Sequence, residues 1–180
     1  PFIRKIKRHR DLPRWMDFRT PGVGKSTLAR RLADETGLVW REVSKLAVDN
    51  KCLEEYDDVY KCPILDEDKL LDGMEDHMSD GGNIVDYHGA DFFPERWFDL
   101  VVVLRTSNTI LYDRLTARGY QGRKLEDNID CEIFQTILEE AKASYRDEIV
   151  TELESNNEQQ MNDNVARMVG WLERWTKDNP

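Results

Sequence analysis

The segment FRTPGVGKST, at residues 18–27, carries the second half of a phosphate-binding loop of the form G-x-x-x-x-G-K-[ST]. In such loops, glycine lets backbone N–H groups approach phosphate oxygens, and the lysine supplies positive charge to the β- and γ-phosphates. Gly24, Lys25 and Ser26 occupy these positions, and the hydroxyl of Ser26 can bind Mg²⁺. We therefore predict a nucleotide site at the start of the following helix, whose dipole favours phosphate. The alternative is an ordinary glycine-rich turn before a helix.

The first half of this motif is altered. Arg19 stands where the opening glycine belongs, and a left-handed backbone at a residue with a Cβ costs about 1–2 kcal/mol. The residues that should form a buried apolar strand before the loop include Asp11, Arg14 and Asp17. An unpaired charge is costly in such a strand. We therefore expect a first strand that is atypical or missing, and we predict residues 1–19 to be an atypical basic N-terminal segment.

Composition limits the possible partners. The chain has 180 residues, which suits one compact domain, and its net charge of −10 argues against general affinity for nucleic acid. Direct sequence-specific binding to nucleic acid is not expected either. The charge is uneven, because residues 1–18 contain six Lys/Arg and two Asp/Glu, leaving −14 for the rest. Three scattered cysteines are typical of reduced thiols in a cytosolic or nuclear protein. Neither a membrane span nor a secretory signal is expected, and an acidic body suits a basic protein partner.

Hydrophobic periodicity predicts helices and strands in alternation, which is typical of an α/β fold with a mainly parallel sheet. Leu100–Leu104 are all apolar, as expected for a strand buried on both faces. Ser107 is predicted to cap a helix. The predicted helices cover residues 24–36, 66–78, 107–119, 126–146 and 158–178, and the predicted strands cover 38–43, 83–87, 99–105 and 148–153.

Several motifs downstream of the loop occur together in order. They are CPILDED (62–68), IVDYHGADFFPERWF (84–98), VLRT (103–106), RGY (118–120), KLEDNIDCEIFQ (124–135) and EEAKASYRDEIV (139–150). With these motifs the chain closely resembles the adenylate kinase isoenzyme 6 family over residues 20–178, whereas residues 1–19 do not match it. The resemblance implies a P-loop NTPase fold, a three-layer sandwich with a five-stranded parallel sheet. It also implies a nucleoside-monophosphate-binding segment at 42–65 and a small lid at 117–127, within a domain of residues 20–180.

The resemblance also implies particular site residues. The ATP phosphates would be held by Gly22, Val23, Gly24, Lys25, Ser26 and Thr27. Asp86, with Ser26, would lie on the Mg²⁺ side, and His88 belongs to the D-x-H-G signature. Arg118 matches the lid arginine that reaches ATP. Val48 stands where the family commonly has Lys or Arg, which removes one expected contact to the AMP phosphate.

Each of these residues also has a purely structural interpretation. Asp86 could cap a loop after its strand, His88 could be a hydrogen-bonded structural histidine, and Arg118 could be a solvated helix-end charge. The aromatic residues of FFPERWF, at 92–98, are expected to pack in the core.

The resemblance implies three kinds of activity: phosphoryl transfer from ATP to AMP, slow ATP hydrolysis, and a role in small ribosomal subunit maturation. ATP, AMP, Mg²⁺, a small-subunit ribosomal protein and a coilin-like nuclear partner are the implied ligands and partners, and nucleus and cytoplasm the implied location. The altered loop favours a second hypothesis, a catalytically weak assembly factor. A P-loop kinase for another small molecule is the third, and DYHGADFFPERWF argues against it.

Overall fold

The computed structural model describes residues 14–18, 21–57, 62–87 and 92–179. Within them, seven strands and seven α-helices alternate along most of the chain. The strands are β1 (Trp15–Phe18), β2 (Val39–Glu42), β3 (Leu53–Asp57), β4 (Cys62–Leu65), β5 (Asn83–Tyr87), β6 (Leu100–Arg105) and β7 (Val150–Glu154). The helices are α1 (Lys25–Thr36), α2 (Val43–Asp49), α3 (Glu67–Asp80), α4 (Asn108–Ala117), α5 (Gly122–Ile133), α6 (Thr136–Ser144) and α7 (Glu158–Asp178). No helix among these residues has the length and hydropathy that a membrane span requires.

Five strands form a parallel sheet, as the resemblance implies, and their order is β2-β5-β1-β6-β7. The residues of β6 alternate between two apolar cores: Leu100, Val102 and Leu104 face one, and Val101 and Val103 face the other. Both faces of the sheet are therefore covered, as is usual for parallel sheets joined by helices. The structure confirms the predicted three-layer arrangement.

The two cores have different helices. The first core contains apolar residues of α1, α4 and α7, including Leu28, Leu111 and Met161. The second contains residues of α2, α3 and α6, such as Met74 and Leu138. Phe93, Trp97 and Phe98 are also buried in the second core, which confirms that this aromatic segment packs in the interior.

The first strand is present. β1 lies at the centre of the sheet, with Asp17 paired in register with Asp86 of β5 on one side and Val102 of β6 on the other. The sequence predicts a first strand that is either atypical or missing. β1 has four residues, one of them acidic, so it is present and atypical. Arg19 lies outside the described residues.

Three local expectations need correction. The helix predicted over 126–146 is two helices, because the chain turns at Phe134 and at Gln135, whose φ is 56°. The acidic stretch after α2 contains β3, which forms an antiparallel pair with β4. Ser107 occupies the N-cap of α4, but its side chain makes no capping hydrogen bond.

Candidate functional site

The glycine-rich loop joins β1 to α1 at the carboxyl edge of the sheet. Gly22 and Gly24 have φ angles of 96° and 103°, a region that L residues with a Cβ rarely adopt. Gly24 is the N-cap of α1, and its carbonyl oxygen accepts hydrogen bonds from the N–H groups of Thr27 (3.1 Å) and Leu28 (3.0 Å). The helix therefore begins directly at the loop, and its first N–H groups face the space where a phosphate would bind.

The loop is also packed too closely for larger residues. A Cβ on Gly22 would lie 3.0 Å from Cδ1 of Leu111 in α4. A Cβ on Gly24 would lie 2.9 Å from Cε of Met161 in α7 and 3.1 Å from Oγ of Ser155. Backbone conformation therefore favours glycine at both positions, and a Cβ at either would also displace neighbouring side chains, which argues against an ordinary turn. Val23, between them, is completely buried.

Ser26 and Asp86 meet at the start of α1. Oγ of Ser26 donates a hydrogen bond to Oδ2 of Asp86 at 3.1 Å. Asp86 is 4% exposed and lies near the end of β5, beside β1. A hydroxyl and a carboxylate are hard oxygen donors that fit Mg²⁺. No group of three or more His, Cys, Asp and Glu suited to a metal occurs among the described residues. Mg²⁺ is usually bound by one or two carboxylates together with water and substrate phosphates, and the Ser26–Asp86 pair fits that pattern.

Lys25 is the first residue of α1, and 8% of it is exposed. It lines a cleft of about 280 Å³ together with Ser26 and Thr27 on the loop side. Arg118 and Tyr120 also line this cleft. The structure therefore brings Arg118 and the phosphate loop to one cleft, as the sequence predicts.

A second hollow, of about 370 Å³, shares part of this lining. It extends from Gly22, Gly24 and Arg118 to residues 155–158, which connect β7 to α7. Together the two hollows are large enough for a nucleotide whose phosphates lie on the loop.

The predicted lid segment, residues 117–127, is short and mostly helical. α4 ends at Ala117, and α5 begins at Gly122. Nζ of Lys124 lies 4.9 Å above the ring of Tyr120, which lines the cleft. The segment therefore places cationic side chains next to the nucleotide site.

Arg114 is a residue of the site that the sequence interpretation missed. Its Nη1 donates to the carbonyl oxygens of Gly22 (3.3 Å) and Ser155 (3.0 Å), and its Nη2 donates to that of Asn156 (2.9 Å). Burial, and then the nearby charge of Arg118, lower the pKa of Arg114. One side chain thus joins the phosphate loop to the loop after β7. Its spacing of four residues from Arg118 was the available signal.

The segment predicted to bind AMP, residues 42–65, contains α2, β3 and β4, with residues 58–61 outside the described part. Position 48, where the resemblance predicts a cation, is a valine on α2, and Val48 is 60% exposed. Arg41 and Lys45 line a hollow of about 320 Å³ beside it. Burial lowers the pKa of Arg41, although the charge of Asp80 opposes the change. His88 falls outside the described residues.

Comparisons with known proteins agree with this geometry. A family model described as AAA domain matches residues 20–135. The adenylate kinase isoenzyme 6 homolog of Drosophila melanogaster is 49% identical over 158 residues, or 88% of this chain and 90% of the relative. The homolog of the same name in Caenorhabditis elegans is 51% identical over 151 residues, or 83% of each chain.

Solved structures support the fold. Shikimate kinase from Acinetobacter baumannii, in complex with shikimate, has a TM-score of 0.60 at 15% identity and covers 92% of this chain and 95% of its own. A gluconokinase from Sinorhizobium meliloti has a TM-score of 0.57 at 15% identity over 97% of this chain and all of its own. At these identities the likeness concerns the fold alone.

Proposed function

The chain belongs to the adenylate kinase isoenzyme 6 family of P-loop kinases, and from this premise we propose that it transfers the γ-phosphoryl group of ATP to AMP and slowly hydrolyses ATP. One observation carries the proposal. The Ser26–Asp86 pair, Lys25 and the left-handed glycines meet at the start of α1, and Arg118 lines the same cleft. These are the groups that bind and neutralise the phosphates of a nucleoside triphosphate.

In this reaction the nucleophile is an oxygen of the AMP phosphate, which is already ionised, so no general base is needed. The protein contributes position and charge. Lys25 and Arg118 neutralise the migrating group within the cleft, and closure of residues 117–127 excludes water. Ser26 and Asp86 would hold Mg²⁺, directly or through water, and the ion would supply further positive charge. In hydrolysis, water replaces AMP as the nucleophile.

We further propose that the protein acts in small ribosomal subunit maturation, in nucleus and cytoplasm, by binding a small-subunit ribosomal protein. A coilin-like nuclear partner is a second proposed contact. The net charge of −10 supports a basic partner, because opposite charges accelerate association.

A second candidate function is a catalytically weak assembly factor that binds nucleotide without rapid turnover. Asp17 in the central strand favours it, since this strand anchors the phosphate loop. The exposed Val48 favours it too, because a phosphate contact for AMP is missing there.

Measurement of ADP formation from ATP and Mg²⁺, with and without AMP, tests the assignment. With AMP present, we expect two ADP for each ATP consumed. Lys25→Ala should lower turnover by about 10²-fold or more with an unchanged circular dichroism spectrum, because the lysine stabilises charge in the transition state. Lys142→Ala, on the remote helix α6, is the matched control and should retain full activity.

Other results would reject the kinase. Turnover of Lys25→Ala within about threefold of the parent would contradict the role of the loop, since a transition-state contact of this kind is worth several kcal/mol. ATP binding by calorimetry without phosphoryl transfer would instead support the assembly factor.

A further inference from the structure

Two large apolar side chains project into solvent where α5 meets α6. Ile133 is 47% exposed, and Phe134, at 72%, is the most exposed large hydrophobic residue of the described part of the chain. Isolated exposed apolar residues are common on protein surfaces. Two in succession, one of them aromatic, are instead typical of an anchor for a protein partner, since aromatic residues dominate binding hot spots.

The backbone under this pair is firmly held. The N–H of Phe134 donates to the carbonyl oxygen of Asp130 at 2.9 Å, which ends α5 in a closed turn. Glu132, the residue before Ile133, is 4% exposed. Its carboxylate accepts hydrogen bonds from Nε of Arg105 (2.6 Å) and the N–H of Thr106 (3.2 Å). Because the turn is fixed to the end of β6, little backbone entropy is lost when a partner binds Phe134.

The surroundings of the pair are acidic. Residues 126–140 contain six Asp/Glu and no Lys/Arg, so this stretch contributes −6 to a net charge of −10. Burial, and after it the charges of Glu140, Asp127, Asp130 and Glu132, raise the pKa of the Cys131 thiol. These carboxylates therefore lie around the same turn. The charge of Glu132 is compensated by Arg105 at 2.6 Å. Asp127 lies 3.8 Å from Arg123 and Glu139 lies 3.9 Å from Lys142, and exposed pairs of this kind offset little of the remaining field.

We propose that one surface, here called the elbow surface, binds a basic protein segment that places an apolar side chain against Phe134. The elbow surface consists of Ile133, Phe134, Asp127, Asp130 and Glu140. The acidic rim repels nucleic acid, and a second copy of the chain would bring two rims of like charge together. A segment with Lys or Arg on both sides of an apolar residue complements both parts of the surface. The inference does not depend on phosphoryl transfer, although a basic ribosomal protein has this chemistry.

Fluorescence anisotropy with a labelled synthetic peptide, in which Lys and Arg flank a central Leu-Phe pair, tests the proposal on the full chain. Phe134→Ala should weaken binding by about tenfold or more, the usual effect at an aromatic hot spot. Asp130→Asn should weaken binding less and reduce its dependence on salt. Ile64→Ala, on β4 and similarly exposed at 46%, is the control and should bind like the parent.

Since Phe134 is exposed, its removal should leave the melting temperature unchanged, so lost binding is not lost folding. A peptide with serines in place of Leu-Phe should bind weakly to every variant. The proposal is overturned if the Leu-Phe peptide does not bind, or if it binds the parent and Phe134→Ala equally. Self-association or binding of single-stranded RNA that is lost in Phe134→Ala would also overturn it, because the surface would then serve another partner.

Discussion

Gly24 is constrained at the scale of the single residue by both conformation and space. A Cβ there would require a side chain at a φ of 103° and would lie 2.9 Å from Cε of Met161. We expect Gly24→Ala to lower the free energy of unfolding by about 1–2 kcal/mol through left-handed strain, and to shift the side chain of Met161, whose flexible end can move. Urea unfolding measures the stability, and calorimetry should show weaker ATP binding.

Gly37→Ala is the matched control for this substitution. Gly37 also has a positive φ, 77°, but a Cβ added there would have no atom of a non-neighbouring residue within 4 Å. Gly37→Ala should lower the free energy of unfolding by about 1 kcal/mol, through left-handed strain alone, and should leave the ATP affinity unchanged. If both variants bound ATP like the parent, the close packing of the loop on α7 would not matter for the site.

Arg114 and Arg118 are predicted to act differently although they lie one helical turn apart. Arg114→Met removes three hydrogen bonds from a cation to backbone carbonyls, so the free energy of unfolding should fall by about 2 kcal/mol. KM for ATP should rise because the two loops that flank the cleft are no longer joined. Arg118→Met should lower kcat without a change in stability, since Arg118 is exposed. Steady-state kinetics and urea unfolding distinguish the two variants. If Arg114→Met and Arg118→Met had equal effects on the kinetic constants and on the free energy of unfolding, the two arginines would not have separate roles.

The sequence could predict Lys25 and Ser26, because their chemistry depends on side chains at a fixed spacing in one loop. Asp86 is 60 residues from Ser26 and follows only from the resemblance of IVDYHGADFFPERWF to the family. The sequence could not predict the role of Arg114. The partners of that side chain are backbone carbonyls from two loops, and their positions depend on how β7 and α7 pack.

At the scale of elements, β1 carries the main irregularity. Asp17 lies in a strand paired on both sides, and an acidic residue is unfavourable in a central strand of a sheet that is covered on both faces. We expect Asp17→Leu to raise the free energy of unfolding by about 1–3 kcal/mol in urea, and to strengthen ATP binding because the strand anchors the phosphate loop. Asp113→Leu, at an exposed position of α4, is the control and should change stability by no more than about 0.5 kcal/mol. Equal stability of the Asp17→Leu variant and the parent would show that the strand tolerates the acid.

The long helices follow from the sequence because their apolar periodicity is sustained over many residues, and β6 follows because it is a continuous apolar run. The break between α5 and α6 does not, since Phe134 and Gln135 carry no glycine or proline signal and Gln135 adopts a φ of 56° without one. The β3–β4 pair does not follow from the sequence either. Its residues are acidic and mixed, and the pairing depends on a partner strand rather than on local preference.

At the scale of the whole molecule, the cleft is built by segments that are distant from one another along the chain. The phosphate loop lies against α4 and α7, and Arg114 links it to the loop that follows β7. The carbonyl oxygen of Ser155 also accepts from Oγ1 of Thr106 at 3.2 Å, at the end of β6. Nucleotide binding should therefore stabilise the entire domain and not the loop alone.

Hydrogen exchange of the full chain can separate this global effect from lid closure. With Mg²⁺ and ATP at about 100 times Kd, mass action adds about 2.7 kcal/mol to the free energy of unfolding, which slows exchange only where amides open by global unfolding. The lid segment, residues 117–127, joins α4 to α5 at the cleft, which Arg118 and Tyr120 line together with the phosphate loop. Its amides should be slowed further, by about tenfold or more, because closure over the phosphates adds local contacts. Residues 168–178 of α7 serve as the internal reference, and Lys25→Ala should abolish the additional effect. Unchanged exchange of residues 117–127 at saturating ATP, with the reference slowed, would show that nucleotide binds without closing this segment.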